Sequence, residues 1–454
     1  YYGVLDADYM KRALMSISFR REGSSLFGDN TRWNNYYRAS GAYRFITNTS
    51  DIKGIEEFKL RASIGTAGIR PLYGFRDETF TLQNGSATKS TLGNENLKPA
   101  VAQEIELGFN ASFLKRFDLE FNYVKTNTKD QILLVPLTGL TGYSGQWRNA
   151  GEVEATSYEA SLGINIIKND TWKWDLNVLW DKSSQKVKTL NVPDYYTGPG
   201  TQESTFFKIA EGENFGAMYG DKFITTLSDL PAGSNAADYT INSKGYVVNS
   251  TGFPVKFKEA SGNTNVKIGD VTPDFNMSFS SNLKYKNFDL YSLVYWKKGG
   301  DIYNKVKQWL YRDSRSADIQ NEGLKDDFYS SAAGLYNINQ ASSAFVEDGS
   351  YVRLKEVSLY YTLNKDYFGT ISKYIEELKF GIVGRNLLTL TDYTGADPEI
   401  SAPGENNRTE LTSRSTDGVG SVASTPGGDP NVFKVDNFSY PTLKSFSFSI
   451  QLKF

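Results

Sequence analysis

Between Glu104 and Phe113 the chain reads Glu-Ile-Glu-Leu-Gly-Phe-Asn-Ala-Ser-Phe, placing Ile105, Leu107, Phe109, Ala111 and Phe113 on one side of an extended backbone. Side chains alternate across a strand, so the segment has one apolar and one polar face. The pattern recurs in both directions. Phe58 to Gly65 is apolar at every second position through Ile64. Tyr158, Ala160, Leu162, Ile164 and Ile166 alternate with Glu159, Ser161, Gly163 and Asn165. Trp172, Trp174, Leu176, Val178 and Trp180 do the same, as do Phe275 to Leu283 and Phe446 to Phe454. Soluble sandwich strands are typically about 5–6 residues long. Many segments here reach about ten or more, which a tilted membrane strand requires. Their polar faces carry Glu, Asp, Lys and Asn, as a water-filled interior demands. The predicted fold is all-β, a transmembrane antiparallel β-barrel.

Connection lengths agree with that reading. Short links at Leu114–Arg116, Lys168–Asp170 and Tyr285–Asn287 alternate with long polar ones. The long ones are Thr66–Ala100, Leu134–Asn149, Val187–Gln202, Leu227–Thr272, Gly299–Gly349 and Asp392–Phe438. Outer-membrane barrels have short periplasmic turns and long extracellular loops. The alternation stays in phase if Thr205–Ala210 and Met218–Thr225 are two strands. About fourteen strands result, from Lys11–Arg20 running outward to Tyr440–Phe454 running inward. Large outer-membrane transporters close with about 22 strands, so about eight would lie upstream. The opening Tyr1-Tyr2-Gly3-Val4 lacks an initiator Met and a signal-peptide pattern, and reads as the interior of something longer.

Composition narrows the chemistry. With 50 Lys+Arg against 52 Asp+Glu the net charge is −2, which argues against a nucleic-acid partner and against capture of a polyanion. Cys and His are both absent, removing thiolate or imidazole metal sites and the His-dependent hydrolytic mechanisms. No metal or other cofactor is expected, and no enzyme. No run approaches the roughly 18 apolar residues of a transmembrane helix.

Several stretches resemble the C-terminal half of SusC/RagA-type TonB-dependent outer-membrane transporters. Arg21-Glu22-Gly23-Ser24-Ser25-Leu26-Phe27-Gly28, with Asn30, Arg32 and Trp33, is similar to a family signature, as are Leu60 to Gly65 and Asn94 to Lys98. Pro99 and Ala100 depart from it, standing where the family usually has an aromatic and Glu. Gly216 to Gly220, Gly269 to Phe275, Gly299 to Asn304, Val346 to Lys355, Arg385 to Leu387, Gly395 to Glu399 and Tyr440-Pro441 follow in family order, closing at Phe454. The resemblance implies a plugged barrel in the outer membrane of a Gram-negative bacterium, surrounded by its lipids. It would import oligosaccharides or peptides with energy from TonB, beneath a SusD-like lipoprotein lid. Residues 1–454 would be the C-terminal part of that barrel, with plug, TonB box and first strands elsewhere. A passive porin or structural barrel is the alternative.

Individual residues say less. Tyr143, Trp147 and Arg148 in an outer loop suit a sugar or peptide, because aromatics stack and Arg donates hydrogen bonds; packing of loop aromatics is the plain alternative. Glu104 and Glu106 have roughly a glycosidase spacing, at about 6.6 Å for two residues of strand, but a polar stripe predicts the same. Asp397-Pro398-Glu399 reads as turn chemistry rather than a metal site, and Gly418-Val419-Gly420 as no phosphate loop. Ile302, Val306, Trp309 and Leu310 would make one apolar face of a helix over 301–315. Trp172, Trp174 and Trp180 should face lipid, and the resemblance implies that the terminal Phe454 serves as an assembly signal. The long loops converge on one rim, where a lid would rest over a small uncharged or zwitterionic oligomer.

Overall fold

The computed structural model describes all residues except 48–51, 84, 199–205, 322–327, 330–332, 337–339, 400–433, 439 and 454. Thirteen strands follow one another as antiparallel neighbours in a single sheet. They are β1 (Tyr2–Tyr9), β2 (Ala13–Gly23), β3 (Trp33–Ile46), β4 (Ile55–Ile69), β5 (Ala100–Phe113), β6 (Phe117–Pro136) and β7 (Gly145–Lys168). Next come β8 (Trp172–Leu190), β9 (Pro273–Tyr285), β10 (Phe288–Gly299), β11 (Tyr351–Asn364), β12 (Glu377–Thr391) and β13 (Ser445–Lys453). Thr91–Leu92 pairs in parallel with β7 and brings the sheet to fourteen.

The wall itself thus has thirteen strands against about fourteen expected, and with a different membership. Of the expected strands Thr205–Ala210 and Met218–Thr225, the described residues 206–210 and 218–225 are not wall strands. Phe207–Ile209 and Ala217–Asp221 pair with Tyr195–Thr197 and Asn265–Asp270 in a separate four-stranded sheet. Conversely, Tyr2–Tyr9 is a wall strand, and Lys11, read as the start of a strand, lies in the turn after it. Met10 and Lys11 adopt φ values of 53° and 55°, the left-handed geometry of a tight hairpin. Removing two strands from the interior preserves the phase, so every long connection still leaves from one end.

Register decides which way each face points. Leu60, Phe109, Phe121 and Ala160 lie opposite one another across four strands, followed by Trp180 and Met277. On the other face, Glu120, Ser161, Leu179 and Ser278 share a row, as do Asn122, Glu159, Asp181 and Asn276. The first set is apolar and faces lipid; the second is mainly polar and lines the lumen. A bulge between Asn165 and Ile167 carries Ile167, rather than Ile166, onto the outward row beside Trp174. Aromatic pairs gather at the inner end of the outward face. Phe113 stacks on Phe117 at 5.0 Å, Trp172 meets Tyr285 at 4.1 Å, and Phe288 meets Tyr361 at 4.6 Å. Such rings form the girdle of a membrane barrel. Trp174 and Trp180 take the outward row as expected, and the Trp174 indole donates to Ser281 at 3.0 Å. No helix among the described residues is long and apolar enough to cross a membrane.

Luminal polar groups satisfy one another across strands. Arg61 Nη2 donates to Glu120 at 2.6 Å and Asn122 at 2.8 Å, and Nη1 lies 3.6 Å from Glu106. Thr126 donates to Glu104 at 2.9 Å. Both candidate carboxylates are therefore members of this stripe.

Most of the fully enclosed apolar residues lie beyond the wall. The described residues of 191–272, 300–350 and 392–444 fold together above the outer end around Phe207, Ile209, Met218, Tyr303, Tyr329, Phe345 and Val435. Tyr303 pairs with Val346 in antiparallel fashion and with Val435 in parallel, tying two of these segments into one small sheet. The helix in this body is shorter than expected, Lys305–Arg312, and turns differently. Ile302 precedes it in a strand, Leu310 is exposed, and the buried positions are Lys305, Gln308 and Tyr311. Trp309 is instead covered by the Arg312 guanidinium at 3.5 Å.

Candidate functional site

The turn-like tripeptide Asp397-Pro398-Glu399 has a partner that local sequence does not show. Arg353 projects from the outer end of β11 and is only 2% exposed. Its guanidinium donates to Asp397 and Glu399, to Thr442 at 2.7 Å, and through Nε to Thr389 at 2.9 Å. Asp397 also accepts from the Thr442 amide at 3.0 Å and the Glu399 amide at 2.9 Å, while Lys355 pairs with Glu399. Burial alone would raise the Asp397 carboxyl, but hydrogen bonds from Arg353, Thr442 and the two amides bring it below the usual range. Three segments distant in sequence are thus clamped where the wall meets the outer body. Nearby, Glu347 accepts from Lys307 at 2.9 Å and from the Thr394 amide at 2.8 Å.

Beside this clamp lies a cavity of about 390 Å³ that opens on the lumen. Strands β9, β10 and β11 contribute Asn276, Tyr295, Lys297 and Tyr351 from the inward row; Phe215 and Glu399 come from the outer body. Tyr295 donates to Asn276 at 3.0 Å, and Asn276 donates onward to Asp181 at 2.8 Å. The rings of Tyr295 and Tyr351 lie 5.7 Å apart. Aromatic surface with fixed polar groups, at the outer mouth of a polar channel, is suited to holding a small oligomer rather than to bond breaking. Among the described residues, no group of three or more acidic side chains is placed to hold a metal ion.

The residues singled out from sequence lie elsewhere. Trp147 is 7% exposed and stacks on Phe75 with centroids 3.6 Å apart, in a buried cluster with Leu97, Ala100 and Ile132. Its indole packs the loop between β4 and β5 against the wall. Arg148 is half-buried and donates to Gln146 at 2.7 Å. Tyr143 is half-buried with Lys89 over its ring at 4.6 Å. Phe454 and Gly418-Val419-Gly420 lie outside the described residues, as does much of Asp392–Phe438. Sequence reasoning missed Tyr295, Lys297 and Tyr351. The available signal was parity: each stands on the polar row of its strand near a long loop.

Comparison with known proteins bears on the whole chain. Residues 1–382 match the family described as TonB dependent receptor-like, beta-barrel. The chain is 28% identical to TonB-dependent receptor P3 of Formosa agariphila, covering 100% of this chain and 45% of that receptor. It is 23% identical to TonB-dependent receptor SusC of Bacteroides thetaiotaomicron, covering 88% of this chain and 41% of that one. The chain thus spans a little under half the length of these curated relatives. Among solved structures, the RagAB peptide importer in its closed-closed state superposes with a TM-score of 0.71 at 20% identity, over 99% of this chain and 47% of the other.

Proposed function

Because this chain belongs to the TonB dependent receptor-like, beta-barrel family, we propose that it forms the C-terminal wall and extracellular body of a SusC-type outer-membrane importer. The imported material is an oligosaccharide or peptide, energy comes from TonB, and a SusD-like lipoprotein closes the mouth. The protein's task is transport, not catalysis. The observation that carries this reading is the division of one sheet into a lipid row and a luminal row, capped at one end by a packed body. A passive pore has no need of so large a body over its mouth.

The outer edges of β1 and β13 have no strand partner among the described residues. Unpaired strand edges are not stable in lipid, so further strands complete the barrel. About 22 strands in all leave about nine, an odd number that suits β1 running inward. A plug and TonB box complete the import machine. The name of one structural relative supports the peptide half of that choice, since RagAB is a peptide importer; the oligosaccharide half rests on the sequence resemblance.

The test is uptake by whole cells together with purification of the intact protein from outer membranes. Uptake of a labelled oligomer that stops when TonB is deleted, and a lipoprotein that co-purifies, are the expected results. A steady open-channel conductance in planar bilayers, with uptake indifferent to TonB, would establish the passive porin instead.

A further inference from the structure

Lys297 is buried with no ion-pair partner among the described residues; Asp301 and Asp348 act on it only from a distance. Its side chain belongs to the luminal row, in register with Asn276 and Tyr351, and the residue is 8% exposed. Among the described residues, nothing accepts a hydrogen bond from its ammonium or pairs with it. The surrounding cations differ. Lys298 lies 3.9 Å from Asp348, Lys307 lies 2.9 Å from Glu347, and Lys355 pairs with Glu399. The nearest acids have other partners: Asp301 accepts from the Asp270 amide at 2.8 Å, and Asp348 from the Ser350 amide at 2.8 Å. Burying an unpaired ammonium is unfavourable unless something neutralises it.

Two further features make this a built site. Lys434 lines the same cavity from the outer body, giving a second cation. Gly300 leaves space for Lys297: a Cβ there would lie 3.1 Å from the ammonium nitrogen and 2.6 Å from the Val271 carbonyl oxygen. The glycine's φ of +77° also suits the turn that brings the chain back over the cavity. The walls are Tyr295, Tyr351 and Phe215.

We propose that this cavity binds a compact oxyanion, a carboxylate or sulfate, carried by the imported oligomer. Lys297 supplies the ion pair, Lys434 adds to the positive field, and the tyrosine rings receive the adjoining sugar or residue. The inference rests on the transport reading and narrows its substrate class to oligomers with at least one anionic group. A net charge of −2 is compatible with it, because the positive charge is local.

Selenate diffused into crystals of the whole transporter should give an anomalous selenium peak within hydrogen-bonding distance of the Lys297 nitrogen. The peak should vanish in Lys297→Met and persist in Lys297→Arg. Calorimetry with two matched pairs then distinguishes the sources: trigalacturonate against its methyl ester, and trialanine against its C-terminal amide. In one pair the charged member should bind roughly 10-fold tighter or more, as a charge-assisted contact provides. Lys297→Met should abolish that difference. Absence of the selenium peak, or no charge preference in either pair, overturns the oxyanion site. TonB-dependent uptake by the unmodified protein would still stand as evidence for import, so the two readings fail separately.

Discussion

Phe345 and Tyr303, in the outer body, are wholly enclosed by other side chains, whereas Leu107, Ile382 and Phe446 on the wall are 50%, 52% and 70% exposed. All five are large and apolar, yet only the first two are covered by this chain. The wall residues are covered by lipid, and the wall itself is held by continuous ladders between neighbours. The body is stabilised like a water-soluble domain, by close packing of an apolar core. Substitutions should therefore follow different rules on either side of the Arg353 clamp.

The clamp should give the largest response. Arg353→Ala leaves Asp397 and Glu399 without their buried cation, and should cost about 3–5 kcal/mol, read as a lower unfolding midpoint of the purified protein in detergent. Its pH dependence has a definite sign. Asp397 is held below its ordinary value when folded, so its contribution is complete above the unfolded value of about 4. It is lost as pH falls further. Asp397→Asn should flatten that acid loss, and an unchanged acid profile would show that the clamp does not govern it.

Phe345→Ala should cost about 3–5 kcal/mol through a cavity in the body. The loss should be the same in short-chain and long-chain detergents, since lipid never meets this side chain. A strong dependence on detergent would erase the contrast between body and wall.

The wall itself gives a smaller effect with clear polarity. Leu107→Arg puts a charge on the lipid row and should cost about 2–4 kcal/mol near the midplane. Glu106→Arg, one residue away on the luminal row beside Arg61, should cost about 1 kcal/mol or less. Urea unfolding in liposomes compares them, and equal losses would contradict the assignment of faces.

The smallest effect belongs to the inner turns. Leu114 and Lys115 adopt φ of 56° and 53° without glycine. Replacing the pair with Asn-Gly relieves left-handed strain and adds some chain entropy to the unfolded state, for a net stabilisation of the hairpin of roughly 0.5–1 kcal/mol, seen as a raised unfolding midpoint.

Alternation made the wall legible, because a period of two survives any packing detail. It misled where a loop strand looked like a wall strand. Phe207, Ile209 and Met218 are buried on the faces of a small sheet, and no local signal distinguishes that burial from lipid. The first strand was missed because its turn, Met10-Lys11, carries neither Gly nor Asn. The site was less legible still. Arg353 and Asp397 are 44 residues apart, and nothing local to the Asp-Pro-Glu turn announces its partner. Trp147 looked available because loop aromatics often are, but it stands at the start of β7, and Phe75, which encloses it, comes from the loop between β4 and β5.

The length of β7 sets a reach. Its 24 residues at about 3.3 Å each extend about 80 Å, or about 60 Å of height at a tilt near 40°. An apolar band about 25 Å tall leaves roughly 35 Å of strand standing clear of it. The lipoprotein lid proposed above, anchored by an acyl chain, would have to climb that height before it touched the rim. At no more than about 3.5 Å per residue, its leash would need about ten residues to make contact, and more to swing aside and return.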